Sequence, residues 1–532
     1  MITWGYKLDG CMFDWDKSVE LDVAETVDYV VALSGAGFEI PTDFITQKTG
    51  IPITGLKVPA LPAPPEPPIK KPKTEASVKK KSITDKLTAL YSSSCGCSST
   101  PINHRSGGST ITAKDPNTFQ FSPLAKDVAK KLYDGKQKGI VDYPLLKATA
   151  QQLREAITFG YRTNKDKEYD AQDIEMLHSL DKNVYVFSAF KNYQQLRTIT
   201  DLLKDENGNV RTFNDFKERV LAINETQNVT WLNSEYNHAV VASQWASDWQ
   251  GIQRDKDILP LLEFDAIMDD RTTDVCMNAN GTRMAVDDFP YHLPLHWNER
   301  SVIRQVASGK ITEPLNPLFP DDLKPMFKNN VAVSGVAFPD THPFYETSKA
   351  INKELYAVAD RQFTYALPRA QQFESIYKDN KTGGEIFRHL LADTKADDYL
   401  LNLNAAKQLA KEGKTMELLP VVREPEQDVR AIIYPDYDHK RKCPDLRDVS
   451  TGEYLDTKTP GRYRKVTHHA NSAAEQKSIA IISDSNLYLD ETIINEKAKA
   501  IFNQHDKNEY PYDDVYFFAK GKIYKRNRKD DK

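Results

Sequence analysis

The sequence predicts a multidomain α+β protein, mostly helical in its centre and closing on a small mixed α/β domain. Three observations lead there. The chain has 532 residues, more than a single hydrophobic core usually serves. Stretches between about residues 119 and 258 carry apolar residues at helical spacing. From about Asp397 onward, short strand-like runs alternate with helices, the pattern of a mixed sheet with helices on its faces.

Composition narrows the function classes. With 71 basic and 76 acidic residues the net charge is -5, so bulk charge does not mark a nucleic-acid binder and any such site must be local. Hydrophobic residues make up 40%, enough for real cores. No run of about 18 apolar residues suggests a membrane helix. The start, MITWGYKLDGCMFDWDKS, lacks the basic-then-apolar order of a signal peptide. The cysteines Cys11, Cys95, Cys97, Cys276 and Cys443 are scattered. Cys95-Gly-Cys97 has no second pair to complete a metal site, so reduced thiols are expected.

The elements divide the chain into five segments. Residues 1–55 form a small mixed segment, with a helix expected around Val23 to Leu33 that stops at Gly35 and Gly37. Residues 56–115 read as a linker. Its proline run favours extended backbone, its lysines repel one another, and a Ser/Gly/Cys stretch follows. In residues 116–320, helices are expected through Leu124, Val128 and Leu132, and through Leu146, Leu153 and Ile157, both stopping at glycine; Ala239, Ala242, Ala246 and Trp249 share a later helical face. Short apolar runs and turns follow after Ile258. Residues 321–395 read as a connector with some helix. In residues 396–532, DDYLLNLNAAKQLAKEG and DETIINEKAKAIFNQH are helices, HHANSAAEQKS a shorter one. MELLPVV, RAIIY, EYLDTKT and IAIIS are strand-like, and VYFFAKGKIYKRN closes as a hairpin at Gly521.

Chemistry concentrates in CPDLRDVSTGEYLDTKTP. Ser450-Thr451-Gly452 is a turn between two strand-like runs, so Asp445 returns beside Asp456 and Lys458. The latter two are two residues apart and share one strand face. Two carboxylates suit a hard divalent cation, and a lysine can steady an attacking water or developing phosphate charge. Basic residues flank the hairpin on both sides: His439, Lys440, Arg441 and Lys442 before it, Arg462, Arg464 and Lys465 after it. That is the local charge phosphate binding needs, or simply a solvated basic loop. His468 and His469 allow a metal-free acid–base alternative with Lys458, or a helix-cap role.

Three stretches carry family resemblances. GYKLDGCMFDWDKSVELDVAETVDYVVALSGAGFEIPTDFITQKTGIPI resembles the C-terminal end of Mu-like phage portal proteins. FSAFKNYQQLRTITDLLKDENGNVRTFNDFKERV, WLNSEYNHAVVASQWASDW and FDAIMDDRTTDVCMNANGTRMAVDDFPYHLPLHWNERS are together similar to the Mu protein F family of minor head proteins. Its Asp-x-Arg-x-x-x-(His/Cys) run, glycine, acidic pair and proline-led loop are read at Asp269-Asp270-Arg271, Cys276, Gly281, Asp287-Asp288-Phe289 and Pro294 to Ser301, with Glu299 where the family closes on cysteine. Cys276, His292 and His296 remain as metal donors or as a hydrogen-bonded loop. Residues 396–532 resemble the C-terminal transfer-RNA nucleases of contact-dependent inhibition toxins, related to the PD-(D/E)xK fold. That resemblance rests on NAAKQLAKEGKTMELLP, CPDLRDV, GEYLDTKTP, Glu475-Gln476-Lys477 and IAIISDS.

The resemblances imply a phage or prophage minor head protein of the virion or host cytoplasm. Its partners would be portal and capsid proteins, with RNA (tRNA) or DNA as substrate, an immunity protein as a further partner, and no membrane. In the nuclease reading Asp445 and Asp456 ligate Mg²⁺, Lys458 handles charge, and Gln476 contacts the scissile strand or Lys458. The family's first helix begins with a glutamate where this chain has Asn404 or Asn402. Glu417, entering the first strand, is the expected substitute ligand. The competing expectation is a catalytically dead domain used as a binding module.

Overall fold

The computed structural model describes residues 82–92, 103–106, 109–112, 121–162, 169–313, 323–437, 439 and 441–531. The portal-like segment with its expected helix, the Pro/Lys run, Cys11, Cys95, Cys97 and Lys440 lie outside them. Both helices and mixed sheets are present, as an α+β reading requires. No helix among the described residues is long and apolar enough to cross a membrane.

The first half is helical: α1 (Ile83–Ser92), α2 (Phe121–Tyr133), α3 (Tyr143–Tyr161), α4 (Ala171–Asp201), α5 (Phe213–Asn224) and α6 (Leu232–Asp255). A two-stranded antiparallel ribbon, β1 (Asn103–Ser106) and β2 (Ser109–Thr112), follows α1. Helix starts are specified locally. Asp142 caps α3 by accepting from the Leu145 N–H, and Asp170 and Asp173 form a reciprocal capping box on α4. A π-helical turn, Glu225–Trp231, joins α5 to α6.

Helix α3 packs on both α4 and α6. The helix expected to stop at Gly160 instead runs through it to Tyr161. This glycine sets the closeness of the crossing, since a Cβ there would overlap the Val240 carbonyl oxygen and Ser243 Oγ on α6.

The apolar runs expected after Ile258 form an antiparallel sheet of β3 (Leu261–Asp265), β4 (Arg283–Ala285) and β5 (Val302–Val306), with the short α7 (Asp274–Ala279) between.

Two segments differ from expectation. Within the expected linker, α1 buries Leu87, Leu90 and Tyr91 in the same core as α3 to α6. The Tyr91 ring stacks on Trp231 at 4.5 Å and on Trp297 at 4.9 Å between centroids. Its hydroxyl donates to Glu235 Oε1 at 2.5 Å. The other oxygen of Glu235 accepts from Lys191 Nζ at 2.6 Å, and that ammonium also donates to the Gln227 carbonyl at 2.8 Å. Lys191 and Glu235 are both fully buried, so each needs the other.

Residues 323–395 of the expected connector are structured. The short α8 (Val331–Ser334) and then α9 (Lys349–Ala366) place Val331, Leu355, Val358 and Phe363 in the helical core. β6 (Phe373–Lys378) and β7 (Glu385–His389) are the first hairpin of the C-terminal sheet. The α/β part therefore begins well before residue 396. Its β7 starts at a tight spot, where a Cβ on Gly384 would overlap the Ala410 carbonyl.

The remaining elements are α10 (Tyr399–Lys411), β8 (Thr415–Leu418), α11 (Arg430–Ile433), β9 (Leu446–Asp448), β10 (Tyr454–Lys458), α12 (Val466–Glu475), β11 (Ile479–Ser483), α13 (Glu491–Lys507), β12 (Asp514–Ala519) and β13 (Lys522–Asn527). RAIIY, expected as a strand, is the short helix α11 running on from a 3₁₀ turn. Its Ile433 is buried with Tyr434 and Tyr454.

The eight strands order as β13-β12-β11-β10-β9-β8-β7-β6. β10 pairs in parallel with β11, β11 with β12 and β7 with β8; the other pairs are antiparallel. Ile479, Ile481, Tyr516 and Phe518 face α10, while Ala480, Ile482, Val515 and Phe517 face α12 and α13. Burial on both faces is why IAIIS reads as an unbroken apolar run.

Candidate active site

The β9–β10 hairpin builds the first site. Gly452 takes φ +77 at its turn, a conformation a side chain would strain. Only Tyr454 and Leu455 pair with β9, whereas Leu455 to Lys458 pair with β11. Beyond β9 the ladder is open, and the Thr457 N–H donates to Asp445 Oδ2 at 2.8 Å instead. That bond holds Asp445 beside Asp456.

Burial, and then the Asp456 charge, push the Asp445 carboxyl well above the usual carboxylate range. Asp456 is buried and accepts from Lys458 Nζ at 2.5 Å. The three residues expected to work together therefore meet at the end of β10. Asp456 contacts the Lys458 ammonium and Asp445 sets a second carboxyl beside it, the pair of oxygen donors a hard cation uses.

The other expected residues divide. Arg462, Arg464 and Lys465 are exposed in and just before the 3₁₀ turn that leads into α12. His469 is held down by burial first, then by the charges of His468, Lys458 and Lys465, which puts its own ring near the lysine of the site. Arg441 and Lys442 are exposed on the loop before β9. Arg430 secures that loop by donating to the His439 carbonyl at 2.7 Å and to the Lys442 carbonyl.

Glu417 does not join the pair. Both its oxygens accept from Arg369, at 2.6 and 2.7 Å, and Arg447 lies at 3.4 Å. This ion pair joins β8 to the turn before β6, and a cation could be bound there only by displacing Arg369. Gln476 is the C-cap of α12 and donates to Ser472 Oγ at 2.9 Å. Its carbonyl accepts from the Tyr437 hydroxyl, so it anchors a loop and has no contact with Lys458.

Two neighbours escaped the sequence reading. Tyr437 lies close enough to Asp456 for that charge to raise its hydroxyl pKa, burial being the larger cause. It lines an open groove of about 620 Å³ with Arg430, Tyr434 and His439. Asp398, at the start of α10, also raises Asp445 by its charge. It stands one helical turn before Asn402, whose buried Oδ1 has no partner. The first helix thus does offer a carboxylate at its start, ahead of both Asn402 and Asn404 where it was expected; an acidic residue just ahead of a helix was the signal.

A second group lies in the helical half. Cys276 Sγ is 3.1 Å from His296 Nε2 and 3.3 Å from Glu299 Oε1, and His296 Nε2 is 3.3 Å from Glu299 Oε2. These three residues can hold a metal ion. His292 is not among them, because its Nε2 bonds the Phe327 carbonyl at 3.1 Å. Glu299, read as the loss of a cysteine, supplies the third donor.

Comparison with known proteins adds no relative: no family model matches the chain, and no match is found among curated proteins or solved structures.

Proposed function

We propose that the C-terminal α/β part is a Mg²⁺-dependent nuclease acting on RNA or DNA, carried by a phage minor head protein. The observation that carries the nuclease reading is the meeting of Asp445, Asp456 and Lys458 at the end of β10, with exposed cations on both sides. The element order α10, β8, β9–β10, α12, β11 is also the helix–strand–hairpin–helix–strand order expected from the resemblance. The carboxylates fit a hard cation, because burial and mutual repulsion penalise the Asp445 charge until a counter-charge arrives.

In this reading Asp445 and Asp456 hold Mg²⁺, with Asp398 next to them. The bound ion would supply charge neutralisation and a more acidic water. Lys458, held by Asp456, stabilises the negative charge that develops on the phosphate. Arg462, Arg464, Lys465, Arg441 and Lys442 grip the backbone, a sequence-independent and salt-sensitive contribution. In the open groove Tyr437 is half-buried, and its ring offers a surface against which an unpaired base can pack, which favours a single-stranded or looped substrate.

The head-morphogenesis part of the proposal rests on the resemblance of stretches within residues 187–301. Supporting it, those residues belong to one helical core with a three-stranded sheet.

The test uses the full chain, because β6 and β7 precede residue 396 and the α/β part contacts the helical half through Arg361–Glu426. Wild type and Lys458→Ala are incubated with total tRNA and with plasmid, in Mg²⁺ or EDTA. Mg²⁺-dependent cleavage by the wild type alone is expected. Cleavage that survives EDTA would shift the reading to His468 or His469. No cleavage by either folded protein would make the domain a binding module.

A further inference from the structure

We infer that Cys276, His296 and Glu299 form a zinc site, separate from the candidate active site. Ideal tetrahedral zinc, with bonds of about 2.3 Å to sulfur, 2.05 Å to nitrogen and 2.0 Å to oxygen, separates its ligands by about 3.6 Å (S to N), 3.5 Å (S to O) and 3.3 Å (N to O). With Glu299 Oε2 as the oxygen ligand, the corresponding separations here are 3.1, 3.5 and 3.3 Å. All three edges are within half an ångström of what zinc needs.

The surroundings orient each donor. His296 Nδ1 donates to the Trp297 carbonyl at 2.7 Å, which leaves Nε2, the atom facing Cys276 and Glu299, as the lone-pair nitrogen. Glu299 is fixed by backbone N–H groups: Ser301 at 3.0 Å and Arg300 at 3.1 Å on one oxygen, Leu295 at 3.4 Å on the other. Thr273 Oγ1 stands 3.0 Å from His296 Nε2. A thiolate–imidazole–carboxylate set favours zinc over magnesium or calcium. The cavity beside the donors holds about 10 Å³, enough for one water and too small for a substrate group. The fourth ligand is therefore a water, and the ion is a staple: it ties α7 to the loop that carries Trp297 onto Tyr91.

Metal content of the full chain, purified without chelator, decides the matter. About one zinc per chain is expected, retained by His292→Ala and lost from Cys276→Ala and His296→Ala variants that keep the wild-type circular dichroism. Reloading with Co²⁺ should give a thiolate charge-transfer band in the wild type; this readout needs no variant to fold. A wild type that takes up neither zinc nor cobalt on titration against a chromophoric chelator overturns the inference. So does a folded Cys276→Ala protein that still carries one zinc.

Discussion

Replacing Asp445 with asparagine should make the protein more stable and inactive at once. The folded state raises the Asp445 pKa, through burial and then the Asp456 charge. Between the unfolded pKa and the higher folded one, the native state binds more protons than the unfolded state, so stability falls as pH rises. Each unit of upward displacement costs about 1.4 kcal/mol. Asp445 is only partly buried by surface area, so solvent screening lowers the recoverable amount to about 1 kcal/mol at pH 8. Asparagine keeps an oxygen for the Thr457 N–H and loses the charge. Urea unfolding at pH 8 should therefore show Asp445→Asn about 1 kcal/mol above wild type, the gap closing toward pH 4. Mg²⁺ should reverse the order. At 10 mM, a site of about 1 mM affinity adds about 1.4 kcal/mol to the wild type and nothing to the variant. An Asp445→Asn protein less stable than wild type at pH 8, or one stabilised equally by Mg²⁺, would refute the paired-carboxylate reasoning.

Three further outcomes are expected. Glu235→Leu should cost about 3–5 kcal/mol by stranding the Lys191 ammonium, and Lys191→Met/Glu235→Leu should recover much of it; denaturant midpoints of the singles and the double measure the coupling. Gly160→Ala should destabilise by more than the gain of about 1 kcal/mol in helix propensity, because the α3–α6 crossing must open; thermal melts report it. Glu417→Gln should cost about 1–3 kcal/mol through the Arg369 pair yet keep Mg²⁺-dependent cleavage within about twofold, whereas Lys458→Ala abolishes it, as single-turnover assays would show.

The hairpin and its three residues were legible in the sequence because every signal there is local. A turn with glycine, two strand-like runs and a two-residue spacing give the register without knowledge of the rest of the fold. Glu417 was misread for the opposite reason, since its partner Arg369 lies 48 residues away and spacing carries no trace of it. β6 hid inside an expected connector because its burial does not alternate, so the period-2 signal was weak. α1 hid behind a proline and lysine run that dominates its neighbourhood. Glu299 was legible as a departure from a family pattern, but only the geometry shows that a carboxylate can take the place of a thiolate.

The seat of Tyr91 between Trp231 and Trp297 also has a consequence during synthesis. Its hydroxyl partner Glu235 comes 144 residues later, and His342, 3.3 Å away, comes 251 residues later. At about 5–20 residues per second, α1 waits roughly 7–30 s for Glu235 to be made. Throughout that interval Leu87, Leu90 and Tyr91 have no core of their own to enter. The seat closes only once the π-helical turn, the start of α6 and the Trp297 loop have all been made, so α1 is among the first helices synthesised and among the last to be enclosed.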